Sequence, residues 1–378
     1  MTSNTAQDNN KASKVHLKGL NGIRAIAAMA VVASHIGLAL TDFGFSSTWE
    51  TYLAGYGVTI FFSLSGFLIT YLLLIEKSRF HHINIKAFYI RRILRIWPLY
   101  FFYLILAVIT TYFFMPEQLP GGIYYYLILC ANIPSIFGFP LPLLAHYWSL
   151  GVEEQFYLFW PFVVSKSNNL FRFLALFSIT IVVIKLGLRY LDATTDYHWP
   201  YQFIQITRFD CMAIGAMGAI LYFEKNKRFL RICFSISAQI AAWGSLLLMA
   251  FNKFHIASVL DSELCAVITI ILIVNVSGNA KTIINLEKPL FDFLGKISYG
   301  IYVYHPLIIF LIAKWAGHLI IPFNYTTRLI IVFTLIPLCA ILISYLSYEF
   351  FEKKFLYLKL KYSSVKSSDT KFQTVRNS

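Results

Sequence analysis

Charge is scarce in this chain. Asp, Glu, Lys and Arg make up 13% of its 378 residues, about half the share of an ordinary soluble domain, so a soluble globular protein of this size is excluded. Cysteine is scarce as well. The five residues Cys130, Cys211, Cys233, Cys265 and Cys339 are odd in number, scattered and mostly inside apolar runs. With no C-x-x-C pair and no ligand spacing they read as small buried hydrophobes, not as a disulfide framework. No cluster of His, Cys and Asp has metal spacing, so no metal is expected. Glycine-rich phosphate loops and a GxSxG elbow are missing, which removes the nucleotide-fold and α/β-hydrolase readings. Residues 1–22 have neither a short apolar core nor a small-residue cleavage site, so no removable leader is expected.

Apolar length is what the chain has. Hydrophobic residues make up 58% of it, with a mean hydropathy of +0.65. Runs of about 20 apolar residues recur, the signature of an all-α polytopic membrane protein. Ten transmembrane helices are expected, over 23–41, 52–75, 97–115, 147–165, 171–190, 208–223, 229–251, 260–276, 298–319 and 327–348. Most of the 32 Lys and Arg then fall on one side, among them Lys11, Lys14, Lys18, Arg91, Arg92, Arg95, Lys225 and the tail from Lys353 to Arg376. The positive-inside rule makes both termini cytoplasmic. The net charge of +14 is therefore a topology signal rather than a nucleic-acid footprint. It also favours anionic lipids of the bilayer or an anionic cytoplasmic cosubstrate.

The organisation is a polar leader (1–22), one membrane domain (23–349) and a basic tail (350–378) expected to be disordered past Lys361. A short interfacial helix is expected around Ile85–Arg95. The longest outer segment, 116–146, carries Pro116, Pro120, Gly121, Gly122, Pro134, Pro140 and Pro142, and its apolar piece Tyr124–Ile133 is too short to span. The outer loop 191–207 is rich in Tyr, Trp and His. These two loops read equally as a sugar-stacking rim and as an interfacial aromatic belt.

Within the first span, His35 follows Arg24 by eleven residues. On a helix that is about 1100°, so the two share a face about 16 Å apart. An imidazole inside a membrane is costly and is by default functional. With Arg24 at the inner edge, His35 sits in the outer half, a proton acceptor opposite a cation. The string His146-Tyr147-Trp148-Ser149-Leu150-Gly151-Val152-Glu153-Glu154 opens the fourth span from outside and brings two carboxylates to the depth of His35. A carboxylate can orient an imidazole and stabilise its cation. Adjacent glutamates point about 100° apart, so one at most faces His35.

Arg92 and Arg95, three apart on one helical face at the cytoplasmic entrance, fit phosphate forks. Ser63 and Ser65 lie in a mid-membrane run of small residues that either lets helices touch or leaves room for a thin substrate arm. Ser298, Tyr302 and His305 form a polar stripe in the inner half of the ninth span. Arg208 and Asp210 open the sixth span, there to hold a loop or to touch an acceptor.

Six stretches together resemble acyltransferase family 3 of membrane acyltransferases: LNGIRAIAAMAVVASH (20–35), GVTIFFSLSGFLIT (57–70), RRILRIWPLY (91–100), HYWSLGVEEQFYLFWP (146–161), RFDCMAIGAMGA (208–219) and ISYGIYVYH (297–305). They occur in the family's order along nearly the whole chain. The resemblance implies O-acylation, usually O-acetylation, of carbohydrates bound for the cell surface, such as an O-antigen, with cytoplasmic acetyl-CoA as donor and the bacterial inner membrane as location. It implies that His35 of the Arg-x10-His motif is catalytic, that Arg92 and Arg95 of the RxxR motif handle the donor, and that Glu153 holds the family's acidic position. Asn21 stands where the family usually has Asp, and Ser63 replaces a usual aliphatic residue. Many members carry an SGNH-type esterase domain after the membrane part. Only about 30 residues follow the last span here, so a stand-alone form is expected, completing transfer itself or handing it to a separate periplasmic partner.

The resulting expectation has the donor phosphates on Arg92, Arg95 and Arg24, and its thin arm passing Ser63, Ser65, Tyr302 and His305 towards His35. His35, oriented by Glu153 or Glu154, acts as general base on the acceptor hydroxyl or first takes the acetyl group itself. Trp148, Arg208 and Asp210 are the residues expected to meet the acceptor. A transporter of an acyl group or glycan-lipid is the rival reading, without an inverted repeat to support it. An envelope scaffold is a third, and leaves the buried His and Glu unexplained.

Overall fold

The structure, a computed structural model, describes residues 17–118, 122–254 and 259–363. Those residues are helical and contain no β-strand, as the all-α reading requires. The first half carries α1 (Leu20–Leu38), α2 (Leu53–Phe80), α3 (Ile85–Phe114), the short α4 (Ile123–Leu127) and α5 (Asn132–Ile136), then α6 (Trp148–Lys166), α7 (Leu170–Thr194) and α8 (Trp199–Thr207). The second carries α9 (Phe209–Phe223), α10 (Lys227–Phe234), α11 (Ile236–Ala250), α12 (Asp261–Gly278), α13 (Pro289–Lys296), α14 (Ser298–Ile320), α15 (Tyr325–Ser347) and α16 (Lys353–Leu360).

Among the described residues, eight helical stretches are long and apolar enough to cross a membrane, or nine if α10 and α11, bent by 62°, count as one. The expected tenth, α6, has the length of a span, but Glu153, Glu154 and Gln155 dilute its apolar run. Two local expectations are corrected. The interfacial helix and the third span are one 30-residue helix, α3, running through Pro98. The outer loop 191–207 is mostly helix: α7 continues to Thr194 and α8 begins at Trp199. The start of the basic tail, ahead of Lys361, holds α16. The leader before residue 17, Pro120, Gly121 and the tail from residue 364 lie outside the described residues.

The centre of the bundle is the crossing of α2 and α9. A Cβ at Gly66 would stand 2.0 Å from the Met212 carbonyl oxygen, and one at Gly215 would stand 2.1 Å from that of Ser63. Backbone meets backbone there, which only small residues permit. No side chain can swing away to make room. Gly66→Ala is therefore expected to destabilise the bundle by about 3 kcal/mol, the upper end of overpacking costs, read as a lowered thermal midpoint in detergent. α1 packs on α2 on one side and on α13, α14 and α15 on the other, which brings its His35 stripe to α14.

Candidate active site

Proline at position 306 decides the local chemistry of α14. It has no N–H to give the carbonyl four residues back, that of Tyr302. His305 fills the gap: its Nδ1 lies 2.7 Å from the Tyr302 oxygen, so Nδ1 carries the proton and donates. Nε2 of a neutral His305 is then an acceptor. His35 Nδ1 sits 2.6 Å from it, with the ring centroids 4.9 Å apart and the planes 8° from parallel, the edge-to-edge arrangement an N–H···N bond needs. His35 must therefore donate through Nδ1, which leaves its Nε2 lone pair free. The chain Tyr302 C=O, His305, His35 thus fixes a tautomer, as a carboxylate does in a catalytic triad.

A third imidazole completes the cluster. His146, buried, stands edge-on to His305 at 5.3 Å. Its Nε2 donates to the Val303 carbonyl at 3.2 Å, and its Nδ1 lacks a partner among the described residues. Beside it, Tyr302 Oη donates to the His146 carbonyl (2.8 Å) and lies 2.5 Å from Ser149 Oγ.

On the other side of Tyr302 lies a cavity of about 100 Å³. Arg24, Arg92 and Arg95 line it together with Ser65, Ser149, Glu153, Tyr157 and Tyr302. Arg24 Nη1 donates to Asn21 Oδ1 (2.9 Å), and Asn21 Nδ2 donates in turn to Asp292 Oδ1 (2.8 Å). The amide at position 21 thus does by hydrogen bond what a carboxylate does by charge. The Arg92 guanidinium lies over the Phe88 and Tyr157 rings, each 5.7 Å away. Its buried Nε has no partner among the described residues, a donor open to an anion.

Several expected site residues stand elsewhere. Glu153 accepts from Ser65 Oγ and from Tyr157 Oη (3.0 Å), facing the cavity rather than His35. Glu154 accepts from Trp97 Nε1 at 2.8 Å. The group that orients His35 is His305, which meets it at one depth although the sequence placed them in opposite halves; α1 and α14 are staggered. Ser63 is buried, its Oγ donating back to the Thr59 carbonyl (2.9 Å), at the α2–α9 crossing. Trp148 lies edge-on to Phe62 and beneath Arg208, whose guanidinium is 5.6 Å from its ring. Arg208 itself, at φ +42° between α8 and α9, donates to Gly55 O (3.1 Å) and Thr59 Oγ1 (3.0 Å). Asp210 turns the other way, into a buried cluster with Glu263 and Lys185. His146, Ser149 and Tyr157 were missed as site residues. The signal was present for His146, an imidazole opening an otherwise aromatic span.

These features define a polytopic helical membrane protein with an imidazole cluster beside an arginine-lined cavity. The chain belongs to the acyltransferase-3 family, whose profile, described as an acyltransferase domain, matches residues 17–348. It is 28% identical over 332 residues to the peptidoglycan O-acetyltransferase OatA of Listeria monocytogenes, an alignment covering 79% of this chain and 50% of the relative. It is 28% identical over 223 residues to O-acetyltransferase OatA of Staphylococcus aureus, covering 55% and 35%. A putative O-acetyltransferase of Staphylococcus aureus is 26% identical over 323 residues, covering 78% and 51%. The chain thus spans about half the length, or less, of these curated relatives. No solved structure matches it.

Proposed function

We propose that this protein is an O-acetyltransferase of the bacterial inner membrane, with both termini and the arginine-lined cavity on the cytoplasmic side, and with residues 23–349 as its catalytic domain. It moves an acetyl group from cytoplasmic acetyl-CoA to a hydroxyl of a cell-envelope carbohydrate. The observation that carries the reading is the tautomer chain from Tyr302 through His305, which leaves His35 Nε2 as a free base. The relatives' names point to a cell-wall glycan as acceptor.

In this mechanism the donor phosphates bind Arg92, Arg95 and Arg24, and the arm lies in the cavity past Ser65 and Glu153. His35 Nε2 takes the proton of the acceptor hydroxyl as its oxygen attacks the thioester carbonyl. The C–S bond breaks, and the proton ends on the departing thiol. His35 becomes an imidazolium only transiently, and the neutral acceptor nitrogen of His305 holds its Nδ1–H throughout. The sum is one ester formed, one thioester broken and no net proton released.

The test is free-thiol release from acetyl-CoA by the purified chain when a glycan acceptor is added. Release that tracks glycan acetylation supports transfer; acetyl or glycan movement without thiol release would establish a transporter instead. Quenching with labelled acetyl-CoA and no acceptor separates the routes: direct transfer leaves His35 unmodified, whereas a two-step route labels it. Arg92→Ala is expected to raise the donor KM by about 10- to 100-fold, the worth of a charge-assisted hydrogen bond, with little change in kcat. An unchanged KM would remove Arg92 from the donor site.

A further inference from the structure

The cavity continues into a second cleft at the N-terminal end of α1. The two share Arg24, Arg95 and Tyr299 in their walls. Apart from Asn21 of α1, the added wall is not supplied by the first spans. It comes from α13 and, mainly, from α16, which follows the residues 17–348 covered by the family profile. The chain reaches α16 through a π-helical turn, Tyr348–Glu352, a backbone form concentrated at functional sites. α16 then packs on the α3 helix that carries Arg92 and Arg95.

The charge of this cleft is mainly positive. Arg24, Arg95, Lys296, Lys353 and Lys359 line it, against Glu352, which accepts from Ser347 Oγ at 3.1 Å, and against Asp292 behind the wall, which pairs with Lys296 at 2.5 Å. Lys353 pairs with Glu349 at 2.8 Å, both half-exposed. Such a pair is weak, and an ammonium has three donors, so it does not withdraw Lys353 from a ligand. Lys353 and Lys359 are six residues apart, about 9 Å along a helix, too far for one phosphate to bridge. Tyr357, on the same helix and also in the wall, offers a ring face on which a base can stack. Multiple separated phosphates next to a base describe a nucleotide.

We propose that α16 completes the donor site and binds the nucleotide end of the donor through Lys353 and Lys359. The ligand class is a thioester on a nucleotide with both a diphosphate and a ribose phosphate, not one on a bare pantetheine arm or a carrier protein. This rests on the acetyl-CoA reading above and adds to it the element that recognises the far end of that molecule.

The experiment is titration calorimetry of the full chain in detergent with three non-reacting probes: coenzyme A, 3′-dephospho-coenzyme A and 4′-phosphopantetheine. Affinity is expected to fall by roughly tenfold at each loss of a phosphate-bearing part, the scale of a lost charge-assisted hydrogen bond. In a Lys353→Gln/Lys359→Gln double variant with an unchanged thermal midpoint, the arginines keep their share of the affinity, but each step of the ladder is expected to shrink to about threefold or less. Full tenfold steps that survive in the double variant overturn the role of α16 while leaving the donor assignment intact. Equal binding of all three by the unaltered chain also overturns it. No binding of coenzyme A at millimolar concentration overturns the donor assignment itself.

Discussion

His35→Ala is expected to lower kcat for acetyl transfer by about 100- to 10,000-fold, the range a positioned general base supplies, with donor binding unchanged. In the proposed mechanism the donor's phosphates bind at the arginines, about 16 Å along α1 from His35, so removing the ring is not expected to touch them. His305→Ala is the informative companion. Without the acceptor Nε2, His35 loses the partner that holds its proton on Nδ1, and the productive tautomer is no longer favoured. A fall in kcat of about 10- to 100-fold is expected, smaller than for His35→Ala because the base itself survives. Donor KM is expected to stay constant. A donor-contacting His305, as its place in the polar stripe of the ninth span had implied, would instead raise KM. Steady-state kinetics on both variants, normalised to folded protein, separate the two roles. Acetylation at the unaltered rate by His35→Ala would refute the mechanism.

The sequence carried the parts of this site that lie within one helix. Arg24 and His35 fall on one face by helical repeat alone. Pro306 after His305 already states that the Tyr302 carbonyl needs another donor. The small residues of α2 announced a close crossing, and Ser63 belongs to it. What it did not carry are the pairings between distant helices. His35 and His305 are 270 positions apart, and counting depth from each helix end fails when neighbouring helices are staggered. Glu153 and Glu154 were assigned to His35 by depth, but the face they present is set by how α6 rotates against α2 and α3, where Ser65 and Trp97 take them. Arg208 and Asp210, two residues apart, part because the chain breaks at Arg208 in a left-handed conformation. No residue type marked that break, since an arginine there pays a conformational cost only the tertiary contacts to Gly55 and Thr59 explain.

Lys185→Met is expected to destabilise the protein by about 3–5 kcal/mol, the cost of stranding buried charge when one partner of an ion pair is removed. Lys185 Nζ lies 2.7 Å from Glu263 Oε1, with both residues buried among α7, α9 and α12, and Asp210 adjoins them. Glu263 Oε2 and Asp210 Oδ2 accept from no N–H or O–H donor recorded among the described residues, and Lys185 is the cation beside both carboxyls. The double variant Lys185→Met/Glu263→Leu removes cation and anion together and is expected to recover much of the loss, because well-packed apolar replacements of a buried pair are often neutral. Thermal unfolding in detergent measures both. Asp210 also answers a question about function. It opens α9 close to Arg208, yet it faces the Lys185 cluster and not the cavity, so Asp210→Asn is expected to lower the thermal midpoint while leaving acetyl transfer per folded molecule unchanged. A raised acceptor KM in that variant, at unchanged stability, would instead put Asp210 in contact with the sugar and separate its role from the ion pair beside it.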